Sequence, residues 1–405
     1  MTARVLFFAP FVLALCACGG GSQSSSTPVL PQERATLITT SAAACRFQPS
    51  TISPTVNGSG VAFLADVSGS TAEAWAVGPS DDPNQPLLEH FNGGVWTRVP
   101  APPNLTGGAT SVYTPLTSVV RISATDAWAA GYYSAPDGVH PLTLHWDGRQ
   151  WTKISNSSQF GINVQVLAIG ASGSNNVWAV GEDFTPTAAR NQLVLVQRWD
   201  GSAWHFVGDT GATHGAPHGL VVFGPANVWF GLQIVPNGNL PTIGAYGHWN
   251  GSTLITNGLP WLVTDRPAST GSLSAASPTD IWFAGETRSG GPYYAHFDGH
   301  HISSYLSIPP PGPPFTVTVA AFRSGYAVAF GGIPAPPAFG AGFASVFNGK
   351  VRWHPITSPT PTNGWVINGH ALPGTTDLWT SFVFPVNGVA SSAAGLIVCP
   401  ATPPA

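Results

Sequence analysis

A short phrase built around a tryptophan recurs along the chain, and it limits the possible folds more than any other feature. It reads SNNVWAVGEDF at 174–184 and returns with altered ends as ATDAWAAGYY, PANVWFGLQI and PTDIWFAGET. The aromatic positions of the phrase are Trp75, Trp128, Trp178, Trp229, Trp282 and Trp379, with Tyr326 assigned to one more. They lie on average about 51 residues apart, so the chain is an array of similar units that can share one core.

A second phrase places an aromatic residue directly before Asn-Gly or Asp-Gly. In chain order it reads EHFNGGVW, LHWDGRQW, QRWDGSAW, GHWNGSTL, AHFDGHHI and SVFNGKVRW. Asn-Gly or Asp-Gly between apolar runs is the strongest short-range hairpin signal, because both central residues of such a turn require positive φ. Another turn signal, such as Thr125-Asp126, precedes several of the tryptophans of the first phrase. Each unit therefore divides into four short strands.

Four-stranded units of this length predict an all-β fold, a seven-bladed β-propeller of four-stranded antiparallel blades. Six units are complete, whereas the seventh has Trp379 and a third strand, AAGLIVC, but no fourth. We expect the N-terminal strand CRFQP to complete the last blade, with Phe47 in the position that tryptophan takes elsewhere. Cys45 and Cys399 would then lie opposite each other, and in an exported chain we expect them to form a disulfide that closes the ring.

The N-terminal segment MTARVLFFAPFVLALCAC predicts export. Arg4 precedes an apolar run from Val5 to Leu15 that is too short to span a bilayer and fits a secretory signal. The sequence LCAC at 15–18 resembles the bacterial lipobox, which implies lipidation of Cys18. The alternative is ordinary signal cleavage with a free soluble product.

These features predict the organisation of the whole chain. We expect a signal peptide at 1–17, a lipid-anchored flexible tether at 18–34, the propeller at 35–400 and a C-terminal tail at 401–405. The resemblance to lipoproteins implies attachment to the bacterial membrane, by preference the outer membrane, facing the periplasm or the surface.

Composition excludes several classes of function. The net charge is −4 and the only lysines are Lys153 and Lys350, so no basic surface exists to bind nucleic acid. The sequence has no P-loop, CxxC pair or HExxH motif, and we expect no cofactor and no metal. We expect a monomer that contacts the membrane through its lipid anchor alone.

Both phrases resemble the repeats of bacterial exported β-propellers related to Asp-box (BNR-type) proteins, over about 45–399. The chain departs from the Asp-box itself, because Asp and Gly are adjacent in its phrase. The resemblance implies sialidase-like glycan hydrolysis as one possible activity, which would need three arginines around a carboxylate. Arg121 and Arg323 are not at equivalent repeat positions, and no third partner is apparent.

Four histidines precede the aromatic residue of the second phrase: His90, His145, His248 and His296. Equivalent positions lie in separate blades, so these imidazoles cannot converge on one metal ion. We expect them to make hydrogen bonds within their own blades. The same position holds Arg198 in one unit and Val346 in another.

The position of a binding site follows from the predicted topology. In an up-and-down meander, the connections between second and third strands and those between blades lie on one face, and in this chain they are long and irregular. Varied loops on a rigid scaffold are where binding sites are usually built. The candidate ligand-binding residues on this face are Tyr132, Tyr133, Glu182, Asp183, Asp209, His214, Asp265, Arg266, Glu286 and Arg288.

Two functions remain open from the sequence. The first is a cell-envelope binding or scaffold module for a glycan or a protein, and the alternative is a glycan-active hydrolase of the sialidase-like type. An enzyme should bring two or three acids and a base with shifted pKa values into one pocket, whereas a binder should present a broad polar and aromatic face. We favour binding over catalysis.

Overall fold

The structure of the protein is a computed structural model. It describes residues 46–49, 64–80, 82–108, 113–185, 193–211, 214–235, 242–260, 267–288, 292–306, 315–323, 326–332, 342–347, 350–355, 365–372, 377–386 and 389–398. Cys18, Cys45 and Cys399 lie outside these ranges, as do the predicted signal peptide, tether and tail. Within the described ranges, no helix has the length and apolar character needed to cross a membrane.

The described secondary structure consists of β-strands, which we number in chain order. The first five strands are β1 (Arg46–Pro49), β2 (Asp66–Gly69), β3 (Ala74–Gly78), β4 (Leu87–Phe91) and β5 (Trp96–Arg98). The next eight are β6 (Leu116–Ser123), β7 (Asp126–Ala135), β8 (Gly138–Trp146), β9 (Trp151–Ile154), β10 (Val164–Gly173), β11 (Asn176–Asp183), β12 (Leu193–Trp199) and β13 (Trp204–Asp209).

The remaining strands continue the same pattern. They are β14 (His214–Gly224), β15 (Asn227–Val235), β16 (Ile243–Trp249), β17 (Leu254–Gly258), β18 (Pro267–Ser277), β19 (Asp280–Thr287), β20 (Pro292–Phe297) and β21 (Ile302–Leu306). The last seven are β22 (Phe315–Arg323), β23 (Tyr326–Gly332), β24 (Gly342–Phe347), β25 (Lys350–Pro355), β26 (Trp365–Ala371), β27 (Leu378–Val386) and β28 (Val389–Val398).

These strands form four-stranded antiparallel sheets, so the predicted all-β propeller with four-stranded antiparallel blades is confirmed. The sheets are β2–β5, β6–β9, β10–β13, β14–β17, β18–β21, β22–β25 and the set β26, β27, β28 and β1, and we number them blades 1 to 7 in that order. In the last sheet β1 pairs with β28, and Phe47 lies opposite Ile397. Trp151 lies opposite Trp146 in the same way in blade 2.

The innermost strands of neighbouring blades contact each other all the way around a closed ring. A polar side chain on one inner strand accepts a hydrogen bond from the next. Val119 N donates to Asp66 Oδ2 over 2.8 Å, and Ile169 N donates to Ser118 Oγ over 3.3 Å. The ring closes between blades 7 and 1, where His370 Nε2 lies 2.8 Å from Asp66 Oδ1. Asp66 therefore connects three blades.

The repeated tryptophans are buried between blades. Trp178 is 1% exposed, and it packs with Val180 against Phe230 and Leu232 of the next blade. Alternate residues of a strand share one face. The tryptophan and the residues two and four positions after it therefore face the following blade.

The histidines of the second phrase make hydrogen bonds inside their own blades, as predicted. His145 Nε2 lies 3.0 Å from Asp126 Oδ1, and its ring packs on Trp128 with centroids 4.5 Å apart. Equivalent hydrogen bonds join His90 to Glu73, His248 to Asn227, and His296 to Asp280. Where arginine replaces histidine, Arg198 Nε donates to Asn176 Oδ1 over 2.9 Å.

The acid or amide two residues before the tryptophan has a role that its sequence pattern did not indicate. Trp282 Nε1 donates to Asp280 Oδ1 over 2.8 Å, and His296 binds the same carboxylate oxygen. Trp229 Nε1 donates in the same way to Asn227 Oδ1 over 2.7 Å. This residue therefore anchors two rings of its blade, in addition to its place beside a turn.

The assignment of Tyr326 to a tryptophan position is wrong. Tyr326 pairs with Arg323 at the turn between β22 and β23, as Asp126 pairs with Ser123 in blade 2. Tyr326 therefore stands two residues before the tryptophan position, which Val328 takes. Because Tyr326 is aromatic and lies only two residues from the expected position, the sequence phrase looked complete. The strand register shows that Tyr326 does not occupy the tryptophan position.

The expectation that both central residues of the Asn-Gly and Asp-Gly turns have positive φ is also wrong. Gly148 has a φ of +91°, whereas Asp147 is not among the described residues with positive φ. Asp147 N donates to Gln150 O, and Asp147 Oδ1 accepts the backbone N–H groups of Arg149 and Gln150. Aspartate is therefore the first residue of the turn and holds it with its carboxylate, and glycine is the first central residue.

Candidate functional site

The candidate site lies on the face that carries the connections between second and third strands and between blades, which we call the loop face. Tyr132 and Tyr133 lie on β7, and Glu182 and Asp183 end β11. The others follow the same pattern: Asp209 ends β13, His214 begins β14, Glu286 lies on β19 and Arg288 follows it. Asp265 and Arg266 lie outside the described residues. All eight described candidates therefore lie at the loop-face ends of strands.

The tyrosines expected to offer stacking surfaces are buried. Tyr132 is 7% exposed and Tyr133 is 8% exposed. Tyr133 stacks on His140 with ring centroids 4.7 Å apart, and Lys153 Nζ lies 4.9 Å from its centroid. Tyr293 and Tyr294 are buried as well. These rings pack within the protein and leave hardly any face for a ligand to stack on.

Glu182 is the most unusual group on the loop face. Its position four residues after Trp178 places its side chain in the groove between blades 3 and 4. It is 8% exposed, and no hydrogen bond joins its carboxyl to another described residue, although the carboxyl oxygens are not completely shielded from solvent. Burial raises the pKa of Glu182 to about 8, because removal from water disfavours the charged form. The group is therefore a neutral hydrogen-bond donor at neutral pH.

The same repeat position is polar in four consecutive blades. Four residues after the tryptophans of blades 2, 3, 4 and 5 lie Tyr132, Glu182, Gln233 and Glu286, which we call the polar arc. Tyr132 and Glu182 are buried, and Gln233 and Glu286 are half-buried. None of the four side chains has a hydrogen-bond partner within the part of the chain that the structure describes. Burial also raises the pKa of Glu286.

The polar arc is limited to one side of the ring. The equivalent residues in blades 1, 6 and 7 are Pro79, Gly332 and Val383, which have no polar side-chain atoms. Gln233 was not among the residues predicted from the sequence, although its fixed spacing from Trp229 was a signal that could have found it. The repeat register therefore identifies a set of groups that loop composition did not.

The other loop-face acids serve the turns in which they lie. Asp183 Oδ1 accepts the N–H of Thr185, and Asp209 Oδ1 accepts the N–H of Gly211, each over 2.8 Å. Arg288 is exposed. Glu182 and Glu286 face different grooves, between blades 3 and 4 and between blades 5 and 6. The structure therefore does not bring the described candidates into one acid cluster.

Three further features bear on the chemistry of the site. Burial lowers the pKa of His218 on β14 to about 4, so its ring is neutral at neutral pH. Among the described residues, no group of three or more His, Cys, Asp or Glu side chains is placed to hold a metal ion. A cavity of about 360 Å³ lies on blade 1, which contributes no residue to the polar arc, and it is lined by Asp82, Gln85, Pro86, Arg98, Val99, Pro100 and Ala101.

Comparison with known proteins gives likeness in fold. No family model matches the sequence, and a search of curated proteins finds no match. The structure of YCF48 bound to D1 peptide is 12% identical and has a TM-score of 0.54, covering 91% of this chain and 99% of that one. YCF48 from Cyanidioschyzon merolae is 15% identical with a TM-score of 0.53, covering 88% and 99%. The six-bladed lectin of Aleuria aurantia is 14% identical with a TM-score of 0.47, covering 84% and 95%.

Proposed function

We propose that the protein is a binding module of the bacterial cell envelope that takes a glycan or a protein segment on its loop face. The observation that carries this proposal is the largely buried side chain of Glu182, whose carboxyl makes no hydrogen bond to another described residue and keeps slight access to solvent. A buried polar group without a partner costs about 1–3 kcal/mol. A ligand that accepts a hydrogen bond from this carboxyl offsets that cost.

The polar arc supports binding over a broad surface. Its four groups lie in separate grooves, which suits a partner that covers several blades better than a small molecule held in one pocket. YCF48, whose fold is similar, was determined with a D1 peptide bound. A peptide is therefore one of the two partner classes that the proposal retains, beside a glycan.

The test uses one panel of glycans and uncharged extended peptides with three forms of the protein. We expect wild type to bind at least one member of the panel. Glu182→Leu should weaken that binding about tenfold, which corresponds to about 1.4 kcal/mol. Asp147→Ala changes a turn on the opposite face, so its folded fraction should bind as wild type does. Binding that depends on Asp147 and not on Glu182 would show that the ligand uses the other face.

A glycan-active hydrolase is the second candidate, and the raised pKa values of Glu182 and Glu286 favour it. A carboxyl that stays protonated near neutral pH can serve as a general acid. Glycosidases use two carboxyls that flank one bond, whereas these two face separate grooves. Release of reducing sugar from the same glycans, abolished by Glu182→Gln, would overturn our preference for binding.

We further propose that the chain is exported, lipidated at Cys18 and closed by a Cys45–Cys399 disulfide. The lipobox-like LCAC sequence and the Gly- and Ser-rich segment after it support the anchor. Labelling of growing cells with a palmitate analogue should mark wild type and not Cys18→Ser. Equal labelling of both proteins contradicts lipidation at this residue.

A further inference from the structure

The polar arc presents one kind of chemistry at regular intervals. Its groups occupy the same repeat position in consecutive blades, and each faces the groove toward the next blade. Packed sheets lie about 10 Å apart, so neighbouring members of the arc are separated by about that distance. Only an extended ligand can therefore reach three of them at once.

The backbone around the arc is already paired. Glu182 lies on β11, which pairs with β10 on one side and β12 on the other. Gln233 and Glu286 lie on second strands that are paired on both sides in the same way. A peptide that adds to a sheet needs an unpaired strand edge. Recognition at the arc must therefore use side chains, and it favours a partner with its own side groups that donate and accept hydrogen bonds.

The groups of the arc are suited to uncharged partners. Tyr132 and Gln233 carry no charge at neutral pH, and the buried carboxyl of Glu182 keeps its proton. An anionic polymer would gain no ion pair from these three groups. Hydroxyl groups both donate and accept, so they match a phenol, a carboxyl and an amide equally well.

We propose that the polar arc is an extended binding site for a neutral glycan strand, which crosses blades 2 to 5 with its hydroxyl groups directed at Tyr132, Glu182, Gln233 and Glu286. This inference rests on the proposed loop-face binding function and names its ligand class. Each groove contacts a different part of the strand. Affinity therefore rises with the length of the glycan until the strand reaches from the first groove to the last.

The experiment uses the full chain with β-1,4-xylan, β-1,4-mannan and β-1,3-glucan, and with their oligomers of two, four, six and eight sugars. We expect at least one series to bind, with affinity rising about tenfold or more from two sugars to six. Glu286→Leu should remove most of this gain, because the far groove no longer contributes. His205→Ala is the matched control, since His205 is exposed and lies beside Asp200 at an Asp-Gly turn of the opposite face. It should leave the length dependence unchanged.

The outcomes separate this inference from the function on which it rests. An affinity that does not change with glycan length, or no binding to any of the three series, overturns the extended glycan site. The alternative outcome is that an uncharged peptide or an anionic polysaccharide binds in a way that depends on Glu182. That result supports loop-face binding and contradicts a neutral glycan as the ligand. If Glu182→Leu changes the binding of none of the probes, both the extended glycan site and loop-face binding are contradicted. Thermal unfolding of Glu182→Leu and Glu286→Leu confirms that each is folded before affinity is compared.

Discussion

At the scale of single residues, Glu182 is a largely buried acid at a repeat position that is apolar in other blades. The residues at equivalent positions in blades 1 and 7 are proline and valine, whereas blade 3 buries a carboxyl there. Buried polar groups that lack partners are uncommon in folded proteins and are concentrated at functional sites. The cost of Glu182 depends on pH, because only the ionised form is strongly disfavoured by burial.

Glu182→Gln should therefore change how stability varies with pH. The pKa of Glu182 rises from 4.5 to about 8 on folding. Below pH 4.5 both the folded and the unfolded chain keep the proton, and burial of the neutral group costs little. As pH rises toward 8 the unfolded chain ionises and the folded one does not, so wild type loses up to about 3 kcal/mol by pH 7. Glu182→Gln lacks this loss.

Urea unfolding of wild type and Glu182→Gln at pH 4, 5.5, 7 and 8.5 measures this difference. The two unfolding free energies should be similar at pH 4 and should diverge as pH rises, with the glutamine variant the more stable. Asp183→Asn is the matched control, because Asp183 is next to Glu182 in the chain but its carboxylate is half-exposed and accepts a hydrogen bond within a turn. A difference between wild type and Glu182→Gln that is the same at all four pH values contradicts the burial of an unpaired carboxyl.

At the scale of strands and turns, the repeat predicted most of the structure. The tryptophan spacing and the Asn-Gly and Asp-Gly pairs located the four strands of each blade. The register within a strand was less accessible, as Tyr326 shows. An offset of two residues keeps a side chain on the same face of the strand, so alternation of apolar and polar residues does not reveal it, yet it decides which residue takes the tryptophan position.

The loops were the least predictable elements. The segment YYSAPDGVHP reads as a long irregular connection, yet β7 continues to Ala135 and β8 begins at Gly138. This extended hairpin stacks Tyr133 on His140 and buries both loop-face tyrosines of blade 2. The pattern of polar and apolar residues along the chain does not show which residues pair across a hairpin, so the extended hairpin could not be predicted from it. The sequence therefore predicted the end of the strands at which these residues lie, but not which of their side chains remain accessible.

At the scale of the whole molecule, the ring is held together by its inner strands and by the contact between its first and last blades. Asp66 is 1% exposed and makes a side-chain hydrogen bond across that contact. Its carboxylate accepts the N–H of Val119 and lies 2.8 Å from His370 Nε2, while Trp379 Nε1 donates to Ser70 O over 2.9 Å. A propeller that opens at this point exposes strand edges that are otherwise covered. We therefore expect the stability of the ring to depend on this closure.

Asp66→Ala should destabilise the ring far more than the same change at the equivalent position of the next blade. Asp66 makes charged hydrogen bonds to two other blades, and bonds of this kind contribute about 1.5–3 kcal/mol each. Ser118 occupies the same position in blade 2 and accepts one neutral hydrogen bond from Ile169, so Ser118→Ala should cost only about 1 kcal/mol. The Asp66 variant should also expose more surface in its native state, which a smaller urea m-value would report.

The effect of Asp66→Ala should also depend on pH and on reductant. Burial disfavours the charged ring of His370, but the Asp66 carboxylate outweighs it and raises the pKa of His370. The stabilisation that Asp66 gains from the charged His370 ring is complete below pH 6.5 and is lost as pH rises through the raised pKa of His370. Asp66→Ala should therefore lower the free energy of unfolding more at pH 5.5 than at pH 8.5.

A Cys45–Cys399 disulfide would close the same ring covalently. Reductant should then lower the stability of Asp66→Ala more than that of Ser118→Ala. Equal losses in the two variants, at both pH values and with or without reductant, would contradict a ring whose closure depends on Asp66.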